Sequence, residues 1–118
     1  MEKFTKGPWI ADIRGGCCAV YAESREGDTA GCHSDDERNI FFSRNCAEYN
    51  GNYWVMSDES IANANLIAAA PEMYAEIKAD LERMLETQKL IEGKLVDEQL
   101  NAGIKRKTAL LAKARGEL

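Results

Sequence analysis

Residues 62–77 read ANANLIAAAPEMYAEI, and the way this stretch is parsed decides how the chain is divided. Ala62, Ala64, Leu66 and Ala68–Ala70 are helix formers. Pro71 then interrupts them. A proline costs little in the first turn of a helix, because its missing N–H has no partner there. It also disfavours helical geometry at the residue before it. The stretch therefore predicts an elbow: a short helix over 59–69, and a second helix that opens at Pro71 with Glu72 in its first turn. The alanines let the short helix approach a neighbouring layer closely. Asn63 is the odd polar residue on that helix, and it is expected to be buried and bonded to backbone at the sheet or at the GPW entry, residues 7–9. Asn63 and Pro71 are accordingly assigned structural roles.

Downstream, Tyr74, Ile77, Leu81, Met84, Gln88, Ile91 and Leu95 step by three and four, the spacing of one helical face. One polar residue, Gln88, sits in this seam, where it can set register. Leu100, Ile104, Leu111 and Leu118 resume the pattern after a step of five, and Gly93 and Gly103 flank the break. The break is consistent with one long helix carrying a stutter or with a helical hairpin that turns within 96–103. The hairpin is favoured because charge changes sign along the chain. Residues 71–98 carry 4 Lys/Arg against 8 Asp/Glu, and residues 99–118 carry 5 against 1. So long a helical segment exceeds what a small sheet can cover. The seam is therefore assigned to oligomerisation, most simply as a twofold dimer.

Upstream of the elbow the signals are those of strands and turns. Residues 8–13 (PWIADI) stop at Gly15-Gly16, and residues 17–24 (CCAVYAES) are bounded by the turn-like REGD. Residues 29–34 (TAGCHS) read as a weak third strand, 39–44 (NIFFSR) as a strong one, and 53–56 (YWVM) as the last. Between these, EYNGN at 48–52 reads as a turn. SDES at 57–60 opens the helix, with Ser57 or Asp58 as the cap. The expected fold class is α+β: a small antiparallel β-meander of four or five strands, then a short helix and a long C-terminal helix or helical hairpin. The division is residues 1–70, sheet plus short helix, and residues 71–118, the oligomerisation segment.

The 118 residues are 45% hydrophobic and 30% charged, which suits one folded domain with an appendage. A net charge of −5 argues against general nucleic-acid binding, which needs a basic face. No apolar run reaches membrane-span length, and the opening residues lack a signal-peptide core, so a cytoplasmic location and no membrane partner are expected. Cys17, Cys18, Cys32 and Cys46 lack paired C-x2-C spacing and are read as reduced, small apolar residues. His33 lies beside Cys32 and so faces away from it on a strand. Asp35, Asp36 and Glu37 read as a solvated turn, and no phosphate-loop spacing occurs. No catalytic residue, metal or cofactor is expected, and the chain is not read as an enzyme.

The remaining signals suit binding. Aromatic residues cluster in the first half and are interleaved with arginines, an arrangement that can stack a base and hold a phosphate or can anchor a protein. Trp9, Arg14, Arg38, Phe42, Arg44, Tyr53 and Trp54 are the candidate ligand- or partner-binding residues. Adjacent Phe41 and Phe42 must face opposite sides of a strand.

Two motifs carry a resemblance. Thr5, Gly7, Pro8 and Trp9 in FTKGPWIAD, with ANANLIAAAPE at 62–72, resemble the small proteins of tailed phages and prophages that begin with a T-P-G-P-W-like segment and carry an A-N-A-R-L-I-A-A-A-P-E-like block. Lys6 replaces the usual proline and Asn65 the usual arginine. The resemblance implies an accessory protein made inside an infected bacterium. In such a setting the expectation is a stoichiometric binder with a counter-defence role, whose target is a host defence protein or a small nucleotide signal. The alternative is a structural or assembly module that docks through its helical tail.

Overall fold

The computed structural model describes residues 2–25, 38–91 and 97–117. The fold is α+β. Strands β1 (Trp9–Arg14), β2 (Cys17–Ala22), β3 (Asn39–Ser43), β4 (Ala47–Tyr49) and β5 (Trp54–Met56) precede helices α1 (Asp58–Ile91) and α2 (Glu98–Ala114), with one 3-10 turn at Glu23–Arg25. The strands form two antiparallel sheets, β1-β2-β3 and β4-β5. The possible strand at 29–34 lies outside the described residues. The chain comprises two compact units, Thr5–Pro71 and Met1–Phe4 with Glu72–Leu118.

In the first unit, Gly15 and Gly16 join β1 to β2 with φ of 54° and 80°. Two consecutive positive φ values are the pattern of the tight hairpin turn that matches strand twist, and glycine adopts them without strain. Register follows: Arg14 pairs Cys17, Ala11 pairs Val20, and Val20 pairs Phe41 on β3. Alternation then sends Trp9, Ala11, Ile13, Cys18, Val20 and Phe41 to one face. There they pack with Cys46, Met56 and the Ala64, Ile67 and Ala68 face of α1. Cys18, Ala19, Val20 and Ala64 are fully buried. Burying a side chain such as Val20 contributes about 1.5–3 kcal/mol. Phe42 pairs Ala19 and so takes the opposite face of the sheet from Phe41.

Helix α1 opens on Ser57, whose Oγ accepts from the Ser60 N–H at 3.3 Å. It then runs unbroken through Pro71. The elbow expected at Ala70–Pro71 is thus corrected: Pro71 lies inside one 34-residue helix. Strong helix formers on both sides keep the helix going across the missing N–H. The proline ring has a packing role instead. A β-carbon built on Gly7 would come within 2.5 Å of Pro71 Cβ and 2.9 Å of its Cγ, so only glycine admits the ring at this point. The segment around Gly7 is held in place by the Trp9 Nε1–H, which donates to the Thr5 carbonyl at 3.0 Å, and by the Glu23 N–H, which donates to the Pro8 carbonyl at 2.9 Å. Asn63 is exposed, a correction to the buried, bonded role expected for it. Its neighbour Asn65 bonds back along the helix, from Nδ2 to the Ile61 carbonyl at 3.0 Å.

The second unit is a helical hairpin. Arg115 Nη1 donates to Tyr74 Oη at 3.0 Å, and Gln88 Nε2 donates to Asn101 Oδ1 at 2.7 Å. Lys107 Nζ lies 3.4 Å from Asp80 Oδ2, and Met84 abuts Gly103. As the α1 numbers rise through 74, 80, 84 and 88, their partners fall through 115, 107, 103 and 101. The two helices are therefore antiparallel. Residues 98–103, part of the span near which the turn is expected, are helical: α2 begins at Glu98, capped by Asp97 Oδ1, which accepts from the Leu100 N–H at 2.9 Å. Gly103 is buried inside α2, not at a turn. Tyr74, Met84 and Gln88, assigned above to oligomerisation, meet α2 of the same chain. Ile77, Leu81 and Ile91 are half-buried, and Leu95 lies outside the described residues. Phe4 closes the end of this unit, edge-on to Tyr74 with ring centroids 5.0 Å apart, and Glu2 pairs with Lys78 at 3.3 Å.

Three measurements check these contacts. Gly7→Ala should lower stability by about 1–3 kcal/mol in denaturant unfolding, and that cost should shrink in a Pro71→Ala background. Gly103→Ala should be within about 1 kcal/mol of neutral, because the opposing atom is the mobile end of Met84 and alanine is the better helix former. Asn63→Ala should change stability by less than about 0.5 kcal/mol, as exposed substitutions do. The hairpin also has an acid limit. Glu117 accepts two bonds from Arg115, at 2.9 and 3.0 Å, and this pairing is the largest cause, ahead of the N-terminal amine, of a pKa lowered from 4.5 to about 2. A depressed carboxylate stabilises the folded state above its unfolded pKa, and that contribution fades as pH falls through the folded value. Thermal midpoints should therefore drop between pH 4.5 and pH 2, and Glu117→Gln should flatten that part of the profile.

Candidate functional site

The thiols are the first candidates for chemistry. Cys18 and Cys46 are free and buried. Burial, reinforced by a hydrogen bond with Cys46, pushes the Cys18 thiol up to about 12, so it is protonated near neutral pH. Burial also raises Cys46, but hydrogen bonds involving Cys18, Ser43 and Ser60 outweigh it and leave Cys46 lowered. Neither thiol reaches solvent, and a buried thiol is a packing group, not a nucleophile. Cys17, which alternation places on the other face of β2, is disulfide-bonded, a correction to the expectation of four reduced cysteines. Among the described residues no cluster of three or more His, Cys, Asp or Glu side chains is placed to hold a metal. His33, Asp35, Asp36 and Glu37 lie outside the described residues.

The candidate binding residues separate into two groups. Trp9 is half-buried, packs on the core and spends its indole N–H on Thr5. Arg14 is held by Asp12, at 2.7 Å between Nη2 and Oδ2. The Arg38 carbonyl accepts from Arg25 Nη1 at 3.2 Å. Arg44 lies over the Phe42 ring, 5.9 Å from its centroid, a cation–π distance. These residues are engaged with their own fold. Tyr53 and Trp54 differ in being exposed aromatic residues. They are 62% and 69% exposed, at the far end of the β4–β5 hairpin.

The structure adds Tyr49, 57% exposed, to this pair. Tyr49 is the cross-strand partner of Trp54, with ring centroids 5.7 Å apart and planes inclined at 51°. Sequence reasoning passed over it because EYN reads as the start of a turn, and Tyr49 falls opposite Trp54 only once Ala47–Tyr49 is known to be a strand. The tip is ordered by Asn50. Its Oδ1 accepts from the N–H groups of Asn52 and Tyr53, both at 3.0 Å, and its own N–H donates to the Tyr53 carbonyl at 3.1 Å. Gly51, at φ 103°, supplies the positive dihedral that the turn needs.

The base of the hairpin is fastened to the core through Gly16. The Gly16 N–H donates to Met56 Sδ at 3.2 Å, and its carbonyl accepts from the Cys46 N–H at 3.1 Å. The Ser57 N–H closes the base on the Cys46 carbonyl at 2.6 Å. Ala47 pairs Met56, and Tyr49 pairs Trp54 two residues further on, so alternation puts all four on one face. Met56 ends in the core while Tyr49 and Trp54 project past it. The result is an apolar face that begins inside the protein and continues into solvent on a braced strand pair. The charge of the segment that carries it, which follows directly on Arg44, is one-sided. Residues 45–71 contain no Lys, Arg or His, but do contain Glu48, Asp58 and Glu59, all of them exposed.

Among the described residues no helix is long and apolar enough to cross a membrane. No match was found among curated proteins or among solved structures. One family model does match, and over residues 1–118 it agrees in kind with the phage resemblance of the two motifs. The chain therefore belongs to the family described as Salmonella phage P22 protein Y8K6.

Proposed function

We propose that this phage protein is an accessory factor that acts stoichiometrically inside the infected host, by binding and blocking a host protein in a counter-defence role. The observation that carries the reading is the β4–β5 tip: Tyr49, Tyr53 and Trp54, exposed together on a hairpin whose base is bonded into the core. Tyr and Trp are the side chains most enriched where protein interfaces concentrate their energy. A preorganised tip keeps the entropic cost of docking low. The reading needs neither turnover nor a cofactor.

Two other readings have less support. Sequestration of a nucleotide signal called on arginines standing beside aromatics. Yet Arg14 is paired with Asp12 and Arg44 is stacked on Phe42. An assembly module docking through its helical tail called on the seam of α1, and Tyr74, Met84 and Gln88 of that seam are engaged by α2.

The test is affinity capture from infected host cells, with the wild-type chain compared against Tyr49→Ala/Tyr53→Ala/Trp54→Ala. The triple variant should retain the wild-type unfolding midpoint and lose about tenfold or more of the captured host protein. Equal capture by both chains rules out the hairpin as the contact.

A further inference from the structure

We infer that the β4–β5 tip takes a cationic protein surface, one that sets Arg or Lys side chains against Trp54, Tyr49 and Tyr53. The inference rests on the binding reading above and adds the chemistry of the partner. Three observations on one short segment converge on it.

The first is the type of side chain. Faces of indole and phenol rings carry partial negative charge, and they attract guanidinium or ammonium groups within about 6 Å of the ring centre. The tilted Tyr49–Trp54 pair, with centroids 5.7 Å apart and planes at 51°, is not stacked face to face. The second observation is charge. The 27 residues from 45 to 71 hold three carboxylates and no cationic side chain. The same protein does use this chemistry internally, since Arg44 lies over Phe42 at 5.9 Å. At the tip, by contrast, the chain supplies aromatic rings without a cation in the surrounding segment. The third is placement of the acids. Glu48 neighbours Tyr49 on β4 but alternates to the other face of the hairpin, where it adds negative charge without touching the rings, and Asp58 and Glu59 follow β5 directly, at the start of α1. A partner bearing several Arg or Lys side chains meets rings at the tip and carboxylates at the base. An acidic partner meets like charge at every one of these positions, and like-charge contacts reject partners strongly.

The test uses the full chain, labelled with nitrogen-15 and titrated at low salt with three synthetic peptides of equal length: Arg/Lys-rich, Asp/Glu-rich, and neutral Gly/Ser. The Arg/Lys peptide should shift the Trp54 indole N–H and the amides of residues 48–54, and the other two should leave them in place. Raising salt from about 0.02 to 0.2 M should weaken binding by about tenfold or more, as screening of exposed charges requires. Tyr49→Ala/Trp54→Ala should abolish the response, and Glu48→Gln should weaken it while the fold, read from the remaining amides, is unchanged. Shifts that fall on the acidic residues of α1 and spare the hairpin overturn the inference. So does an equal response at the tip to the neutral or acidic peptide, or to a single-stranded oligonucleotide. If host-protein capture depends on Trp54 but the tip ignores the cationic peptide, the charge assignment fails alone. If capture is indifferent to Trp54, the binding reading fails with it.

Discussion

The sheet unit depends on how closely the alanine face of α1 can lie on β2. Cys18, Val20 and Ala64 are sealed from solvent, and none of these side chains is large. Small facing groups bring backbones together, and at such distances an extra methyl group has no space to fill. The same tightness recurs at the edge of this layer, where Gly7 faces the ring of Pro71. Gly7 and Pro71 come from the two motifs that carry the phage resemblance, over sixty positions apart in the chain. Those motifs are two halves of one steric fit.

The helical hairpin solves a different problem. Its core is thin: Tyr74, Gly103 and Leu111 are buried, and the rest of the seam is half-covered. Individual polar links, such as Lys107 with Asp80, are only half-buried and contribute about 1 kcal/mol each. Their value lies in register. Gln88 with Asn101, and Tyr74 with Arg115, match at only one alignment of the two helices, whereas Leu and Ile alone tolerate several.

The candidate contact surface is built on three-residue strands, too short to be stable alone. Gly16 makes it possible. Its positive φ closes the β1–β2 turn, and both of its backbone polar groups bond the base of the β4–β5 hairpin. One glycine thus shapes the sheet and anchors the element that exposes Tyr49, Tyr53 and Trp54. Large aromatic side chains on a short, well-braced projection are costly for solubility. The core does not need them, and their exposure is the feature on which the proposed contact rests.

The fold class, β1, β2, β3 and β5, and the start of α1 were legible in the sequence, because period and turn chemistry are local properties. The glycine pair at 15–16 and the alternation through CCAVYA act through nearest neighbours. So do the cap at Ser57 and the step of three and four from Tyr74 onward. Tyr53 and Trp54 were legible as candidates, and Tyr49 was not, because its position opposite Trp54 exists only across a strand pair. Pro71 marks the clearest boundary. Local rules place it at the start of a helix, and the structure places it within one, where its ring meets Gly7. Asn63 goes to solvent for a related reason: helix rotation is set by Ala64, Ile67 and Ala68 seeking the sheet, not by the polarity of the residue that precedes them. The sequence alone determined most of the segments that become strands and helices, β4 and the passage of α1 through Pro71 excepted, since those choices depend on backbone preference and periodicity. The tertiary structure alone decided which side chains are spent on the core and which remain exposed, since burial depends on what lies opposite in space.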